Sequence, residues 1–241
     1  MSNITFHPAN TRGHADHGWL NAHHSFSFAG YHDPSRIHFG ALRVLNDDIV
    51  SGGMGFGKHP HDNMEIITII LDGALEHKDS MGHTEAIRTN EVQVMSAGTG
   101  VFHSEYNHNK DKAVNLLQIW LFPNKKNVKP RYDQRLFEAA DRENKLQVLV
   151  SPIDNNDEGL KIHQDAWIYR SNLKAGNTLQ LQPHSENHGF YVFTIDGGVT
   201  AGGQTLSKRD AAGFSDADSI EISATSDSDI LILEVPMEFG M

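Results

Sequence analysis

The 241-residue chain contains no cysteine. This absence excludes disulfides, iron–sulfur clusters, thiolate zinc sites and a cysteine nucleophile. The chain also lacks any apolar run near the ~18 residues that are needed to span a bilayer. Its first residues carry neither the basic nor the apolar segment of a signal peptide. We therefore expect a cytoplasmic protein with no membrane-spanning segment.

Basic residues are scarce relative to acidic ones. The chain has 20 Lys plus Arg against 31 Asp plus Glu, which gives a formal net charge of −11. Because an acidic chain repels phosphate backbones and anionic lipids, we expect neither nucleic acid nor a membrane as a partner. Small molecules and other proteins remain as candidate partners.

Short β-branched or alternating runs dominate the sequence, and they predict an all-β sandwich or barrel. Asp72-Gly73 and Asp196-Gly197 each follow such a run, which predicts hairpin turns in two weakly similar halves. The polar segment 123–130 predicts a connector, and residues 131–140 predict a short helix or a crossing loop. We place the domain boundary near residue 140, which gives domains 1–140 and 141–241.

Histidine is unusually abundant, with 16 residues, most of them before position 110. His59 and His61 are two residues apart, so on a strand both side chains project to one face and can share a metal ion. His103 and Glu105 repeat this spacing. If both strands line one barrel, three nitrogens and one oxygen converge, a set that suits a divalent transition metal. Glu65 has the same parity as the first pair and is a reserve ligand.

Two stretches around these residues resemble the cupin motifs. The spacing Gly53-x5-His59-x-His61-x3-Glu65, followed by Gly73, resembles the first motif with one extra residue in its last gap. Gly98-x-Gly100-x2-His103-x3-Asn107 resembles the second, with Gly98 where cupins usually have proline. More specifically, the chain resembles the pirin family, in its bacterial branch associated with quercetinase activity, over segments 12–20, 25–34, 57–61, 76–82, 96–105 and 130–135.

The resemblance implies a bicupin, which has two jelly-roll-like β-barrels in one chain and a metal only in the N-terminal barrel. It implies that the metal ligands are His59, His61, His103 and Glu105. The family points to Fe(II), although Mn(II), Co(II), Ni(II), Cu(II) or Zn(II) would also suit these ligands.

The activity implied by the family is that of a metal-dependent dioxygenase. It is the quercetin 2,3-dioxygenase type, which cleaves a flavonol with dioxygen. Glu105 is the candidate catalytic base for the flavonol hydroxyl. The alternative is a non-enzymatic metal- or redox-sensing regulator that binds a protein partner.

The C-terminal half has no equivalent ligands. Alignment of the two Asp-Gly pairs puts Pro183 and Ser185 opposite the first histidine pair. His184, Glu186 and His188 are one residue out of register, so we expect them to be solvated loop residues.

Several other residues of the N-terminal half remain ambiguous. The four histidines His14, His17, His23 and His24 are expected to cap turns and to pair with Asp16, Asp33 or backbone, rather than to act as ligands or proton shuttles. Asp79 and Ser80 are expected to form a turn. Four aromatic residues either wall a substrate pocket or belong to the barrel core: Phe26, Phe28, Tyr31 and Phe39.

Overall fold

The computed structural model describes residues 3–239, which form strands joined by turns and two short 3₁₀ helices, Ala9–Thr11 and Ala139–Arg142. Neither of these helices is long enough to cross a bilayer, and none of the other described residues is helical. The first twelve strands are β1 Asn3–His7, β2 Gly13–Asp16, β3 Leu20–His24, β4 Leu42–Val50, β5 Gly55–His61, β6 Glu65–Asp72, β7 Ala74–Asp79, β8 Thr84–Arg88, β9 Glu91–Ser96, β10 Val101–Asn107, β11 Val114–Leu121 and β12 Arg131–Leu136. The remaining strands are β13 Gln147–Pro152, β14 Leu160–Ile162, β15 Trp167–Leu173, β16 Thr178–Leu181, β17 His188–Asp196, β18 Gly198–Ala201, β19 Gln204–Ser207, β20 Ala211–Ser215, β21 Ile220–Ala224 and β22 Ser228–Pro236.

The N-terminal half folds as a seven-stranded sheet facing a four-stranded sheet. The larger sheet has the order β12-β9-β6-β11-β4-β3-β2, and the smaller has the order β5-β10-β7-β8. The expectation of a short helix or a loop over residues 131–140 was wrong for most of this segment. Residues 131–136 form β12, which pairs antiparallel with β9, because the polar side chains of this edge strand face solvent on one side.

The C-terminal half repeats the arrangement, with sheets β1-β20-β17-β22-β15-β13-β14 and β16-β21-β18-β19. The all-β prediction of two jelly-roll-like barrels is therefore confirmed. Strand β1 belongs to the larger sheet of the second barrel, where it pairs with β20. Apart from β1, the change from the sheets of the first barrel to those of the second falls between β12 and β13.

The two Asp-Gly pairs occupy equivalent positions but do not close hairpins. Each passes the chain from a larger sheet to the smaller sheet of the same barrel, from β6 to β7 and from β17 to β18. Gly73 and Gly197 have φ of 89° and 81°, a conformation in which a β-carbon is strained. The internal similarity of the two halves is confirmed, whereas the predicted hairpin was wrong.

Strand alternation divides the side chains of the larger N-terminal sheet between two environments. One set of positions, which includes Leu45, Ile67 and Leu117, packs in the apolar layer between the two larger sheets. The opposite face of the sheet lines the interior of the first barrel, where its side chains take part in two separate apolar clusters. The middle of this inner face is polar, and this is where the candidate site lies.

Candidate metal centre

The pairing of β5 with β10 brings three predicted ligands together. His59 lies directly opposite His103, and His61 lies two residues further along β5 on the same face. One ring nitrogen from each of the three imidazoles lies within 4.8 Å of the others. The ring centroids of His59 and His103 are 4.4 Å apart, and the other two pairs are each 4.9 Å apart. This triangle is an arrangement in which three imidazoles can bind one ion.

Glu105 lies on the same strand as His103, beyond an irregularity in the β5–β10 register. It is buried, and a carboxylate oxygen, a His103 nitrogen and a His77 nitrogen lie within 4.8 Å of one another. The Gln118 amide donates to both Glu105 oxygens at 3.2 and 3.1 Å, and the Thr68 hydroxyl donates to Gln118 Oε1 at 3.0 Å. The sheet opposite β10 therefore holds the carboxylate in place.

Two imidazoles of this cluster, those of His61 and His103, have lowered pKa values. Burial, together with the neighbouring histidines His103 and His59, lowers the pKa of His61 to about 4. Burial, followed by His59 and His77, lowers the pKa of His103 to about 3. A neutral imidazole is the form that binds metal, so these two histidines are ready to act as ligands at neutral pH.

The hydrogen bonds of the cluster also fit a cation. His59 Nδ1 lies 2.8 Å from the Gly57 carbonyl oxygen, which only accepts, so Nδ1 carries the hydrogen and Nε2 is bare. His103 is 1% exposed, and neither of its ring nitrogens has a hydrogen-bond partner among residues 3–239. Buried polar atoms normally have partners, and a metal ion would satisfy this histidine. Three imidazoles and one carboxylate suit a divalent transition metal.

Glu65, the reserve ligand, lies away from this cluster. The turn over residues 62–64, with Asn63 at φ 43°, separates β5 from β6 and resets the side-chain alternation. The buried Glu65 carboxylate accepts a hydrogen bond from the Ser96 hydroxyl at 2.7 Å. Burial raises the pKa of Glu65 to about 7, although Ser96, the His163 backbone and Arg131 oppose the rise.

A second layer of polar residues lies behind the cluster, and the sequence reasoning missed it. His77 is fully buried on β7, and its Nε2 lies 3.1 Å from Asp79 Oδ2. Asp79 also accepts from the His83 ring at 2.9 Å and from the backbone amides of Met81 and His83. Burial raises the pKa of Asp79, but these hydrogen bonds outweigh burial and hold it below its usual value. Asp79 thus forms the predicted turn and also contacts His77.

A cavity of about 90 Å³ opens in front of the histidine cluster. Its wall includes Phe28, Phe56 and Trp120, and its polar inner surface includes Asn46 and Asp48. It shares its outer wall with a basin of about 570 Å³ on the protein surface, which is lined by His14, His17, Trp19, Tyr31 and several residues of the cavity itself. The cavity and the basin thus lie side by side, separated by shared residues that include Leu20, Phe28 and Phe56.

Asp48 is the unusual group of this cavity. It is 5% exposed, and its Oδ1 has no hydrogen-bond partner within the described part of the chain. Burial, with the nearby charges of Asp47 and Glu105, raises its pKa to about 8. This rise favours the protonated form of Asp48.

The sequence did not decide whether four aromatic residues line a substrate pocket or belong to the barrel core. The structure places two of them in each environment. Phe28 and Tyr31 line the cavity or its outer basin. Phe26 and Phe39 belong to the apolar layer between the barrels.

The N-terminal histidines differ from expectation in their partners. His14 stacks on His23 and lies 3.2 Å from Asn21, and His24 lies 2.9 Å from Asn46. The expected pairing of these residues with Asp16 or Asp33 was therefore wrong. None of the three is close enough to the candidate ligands to join the two clusters found within residues 3–239.

The expectation that His188 is a solvated loop residue was also wrong. His188 begins β17, is 3% exposed, and its Nδ1 lies 2.9 Å from Glu234 Oε1. His184 is half-exposed, stacks on Trp167, and contributes both its backbone amide and its ring Nδ1 to the same carboxylate. Burial raises the pKa of Glu234, but the bonds from both histidines outweigh it and keep the pKa below the ordinary value.

Two jelly-roll barrels in one chain, with a histidine cluster inside the first, define a bicupin of the metal-binding class. The pirin family model matches residues 5–121, and a model described as the quercetinase C-terminal cupin domain matches residues 148–235. The chain belongs to the pirin family.

Similar proteins cover nearly the whole chain. Quercetin 2,3-dioxygenase from Escherichia coli (strain K12) is 44% identical over 233 residues, which cover 97% of this chain and 99% of that protein. A pirin-like protein from Caulobacter vibrioides is 39% identical over 227 residues, covering 94% and 97% of the two chains. The crystal structure of the Escherichia coli bacterial pirin YhhW in complex with nickel(II) superposes with a TM-score of 0.91 at 42% identity, covering 97% of this chain and 99% of that one.

Proposed function

We propose that this protein is a metal-dependent dioxygenase that cleaves flavonols of the quercetin type, with His59, His61, His103 and Glu105 as the metal ligands. The observation that carries the proposal is a cluster of three imidazoles, with the Glu105 carboxylate close to His103, in the lining of an aromatic-walled cavity. The name of the Escherichia coli relative supports the reaction, and the nickel complex of YhhW supports a divalent metal. The pirin resemblance favours Fe(II) as the native ion.

Different residues of the cavity bind the substrate and accept its proton. A bound divalent metal would lower the pKa of a coordinated hydroxyl group. Glu105 accepts the proton of the flavonol 3-hydroxyl, and Gln118 keeps the carboxylate oriented towards the cavity. Phe28, Phe56 and Trp120 contact the planar rings and exclude water from the reacting end.

The decisive experiment is a turnover assay on metal-depleted protein that has been reloaded anaerobically. Separate samples receive Fe(II), Mn(II), Co(II), Ni(II), Cu(II) or Zn(II), and each is mixed with quercetin in air-saturated buffer. Loss of flavonol absorbance and uptake of oxygen are followed together. We expect turnover with at least one metal, and we expect Fe(II) to be among the active ions.

Three variants test the assigned ligands. His59→Ala and Glu105→Gln should lose turnover while their circular dichroism spectra remain those of the wild type. His32→Ala removes an exposed imidazole outside the cavity and should retain turnover. Absence of turnover with every metal would overturn the proposal and favour a regulatory protein that senses metal or redox state and binds a protein partner.

A further inference from the structure

His77 is a fully buried histidine that lies next to the proposed metal ligands without being one of them. It is on β7, directly opposite Glu105 on β10, and its side chain points into the first barrel. Its ring centroid lies 5.3 Å from that of His103. The edge of the His77 ring is therefore close enough to His103 for the two imidazoles to interact.

The tautomer of His77 follows from its contact with Asp79. The carboxylate oxygen of Asp79 lies 3.1 Å from His77 Nε2, and an ionised carboxylate only accepts hydrogen bonds. Nε2 therefore carries the hydrogen, and Nδ1 presents a bare lone pair. This Nδ1 is buried and has no hydrogen-bond partner within residues 3–239.

His103, in turn, lacks an acceptor for its N–H group among the residues that the structure describes. A neutral imidazole carries a hydrogen on one nitrogen, so when one nitrogen of His103 binds metal, the other must donate its N–H. Both His103 nitrogens are without a hydrogen-bond partner in the described residues. His59 shows the expected arrangement, because its Nδ1 donates to the Gly57 carbonyl and leaves Nε2 for the metal. His103 has no such carbonyl, but a ring nitrogen of His77 lies within 4.8 Å of a ring nitrogen of His103.

We propose that His77 is a positioning residue whose Nδ1 accepts the N–H of His103, and that Asp79 fixes His77 for this role. The contact selects which His103 nitrogen faces the metal and holds the ring in place. Asp79 is in turn held by His83 and by two backbone amides at the turn after β7. The inference rests on the metal ligand set of the proposed function and deepens it.

The test measures Co(II) affinity of the metal-free protein by competition with a chromophoric chelator, together with the visible spectrum of the Co(II) complex. His77→Leu fills the space but has no acceptor, whereas His77→Asn places an acceptor oxygen near the position of Nδ1. His32→Asn is the matched control, because His32 is an exposed histidine that lies outside the cavity. Circular dichroism of each metal-free variant establishes that it is folded.

We expect His77→Leu to bind Co(II) about 10–100-fold more weakly and with an altered spectrum, as is typical when the partner of a metal-bound histidine is lost. His77→Asn should recover most of the affinity, and His32→Asn should bind like the wild type. Wild-type affinity in His77→Leu would overturn the inference, and so would equal loss in the Leu and Asn variants. If the wild type itself binds no Co(II), the metal ligand set fails, and with it the proposed function.

Discussion

Asp48→Asn should make the metal-free protein more stable, and the gain should increase with pH. Burial raises the pKa of Asp48 from its ordinary 3.8 to about 8. Between these values the folded protein holds a proton that the unfolded chain has lost. Because the folded state then binds more protons, the free energy of unfolding of the wild type falls as pH rises through this window. Asparagine has nearly the same shape and does not titrate, so the variant lacks this loss.

The size of the effect follows from the displacement of the pKa. Each pKa unit corresponds to about 1.4 kcal/mol, so a rise from 3.8 to about 8 gives an upper limit of about 6 kcal/mol. Proteins are stable by only about 5–15 kcal/mol, so even half of this limit is readily measured. The stability difference between the variant and the wild type should be small near pH 4 and should grow by up to about 1.4 kcal/mol per pH unit towards pH 8.

Urea denaturation of both proteins at several pH values between 4.5 and 8, with a chelator present, provides the measurement. The comparison between proteins is needed because other buried groups titrate in this range. Burial lowers the pKa of His7 and of His61 to about 4 each, which makes stability rise with pH up to about 6.5. These contributions are common to both proteins and cancel in the difference. Asp72→Asn, at an exposed carboxyl, supplies the baseline. A difference that stays constant from pH 4.5 to 8 would show that Asp48 is ionised in the folded protein and would refute the reasoning.

Three further predictions concern metal binding and the packing of both barrels. Ni(II) at a hundred times its dissociation constant should stabilise the wild type by about 2.7 kcal/mol in thermal unfolding, and it should not stabilise His59→Ala; equal stabilisation of both would exclude His59 as a ligand. Gly98→Ala should destabilise by about 1–3 kcal/mol in urea, because Gly98 has φ 49° and an added β-carbon would meet the Val128 carbonyl; an unchanged midpoint would contradict this. Glu234→Leu should lower the unfolding free energy by about 1–3 kcal/mol for each donor left unpaired, His188 among them; a neutral result would mean that water replaces the carboxylate.

The histidine pairs could be predicted from sequence because the alternation of a strand is a local property. His59 and His61 must share a face wherever β5 lies, and the same holds for His103 and Glu105 on β10. That the two strands are neighbours is a property of topology, and here the cupin resemblance supplied the information. The pairing of His59 with His103 agrees with that expectation. Whether these four residues bind a metal stays a prediction.

The parity argument failed for Glu65 because it assumed an unbroken strand. The turn at Asn63 interrupts the alternation, and Glu65 joins the next strand in the other sheet. His188 was misjudged for a related reason. The register comparison with the first barrel addressed only metal binding, whereas burial depends on the neighbours of a residue in space. Glu234 comes from the last strand of the chain, and no local pattern links the two residues.

The polar row, which consists of Thr68, Gln118 and Asn46 on the inner face of the larger sheet, can be partly recognised from sequence. The signal is a single polar residue inside an otherwise apolar strand. Thr68 interrupts four isoleucines in β6, and Gln118 interrupts the apolar run of β11. Such residues are costly in a barrel interior unless they are paired. Thr68 pairs with Gln118, and Gln118 with Glu105, so each polar side chain satisfies the next.

The same row distinguishes the first barrel, which holds both candidate metal-binding clusters found within residues 3–239, from the second. Thr68, Gln118 and Asn46 are cross-strand neighbours on β6, β11 and β4. In the second barrel the equivalent neighbours on β17, β22 and β15 are Val192, Ile232 and Tyr169. These three belong to the single apolar cluster that fills the second barrel. At these three positions the second barrel is therefore apolar, and its buried histidine, His188, pairs with Glu234. The candidate site therefore depends on two features. One is the pairs of candidate ligands on the smaller sheet, and the other is the hydrogen-bonded polar side chains on the inner face of the larger sheet opposite them.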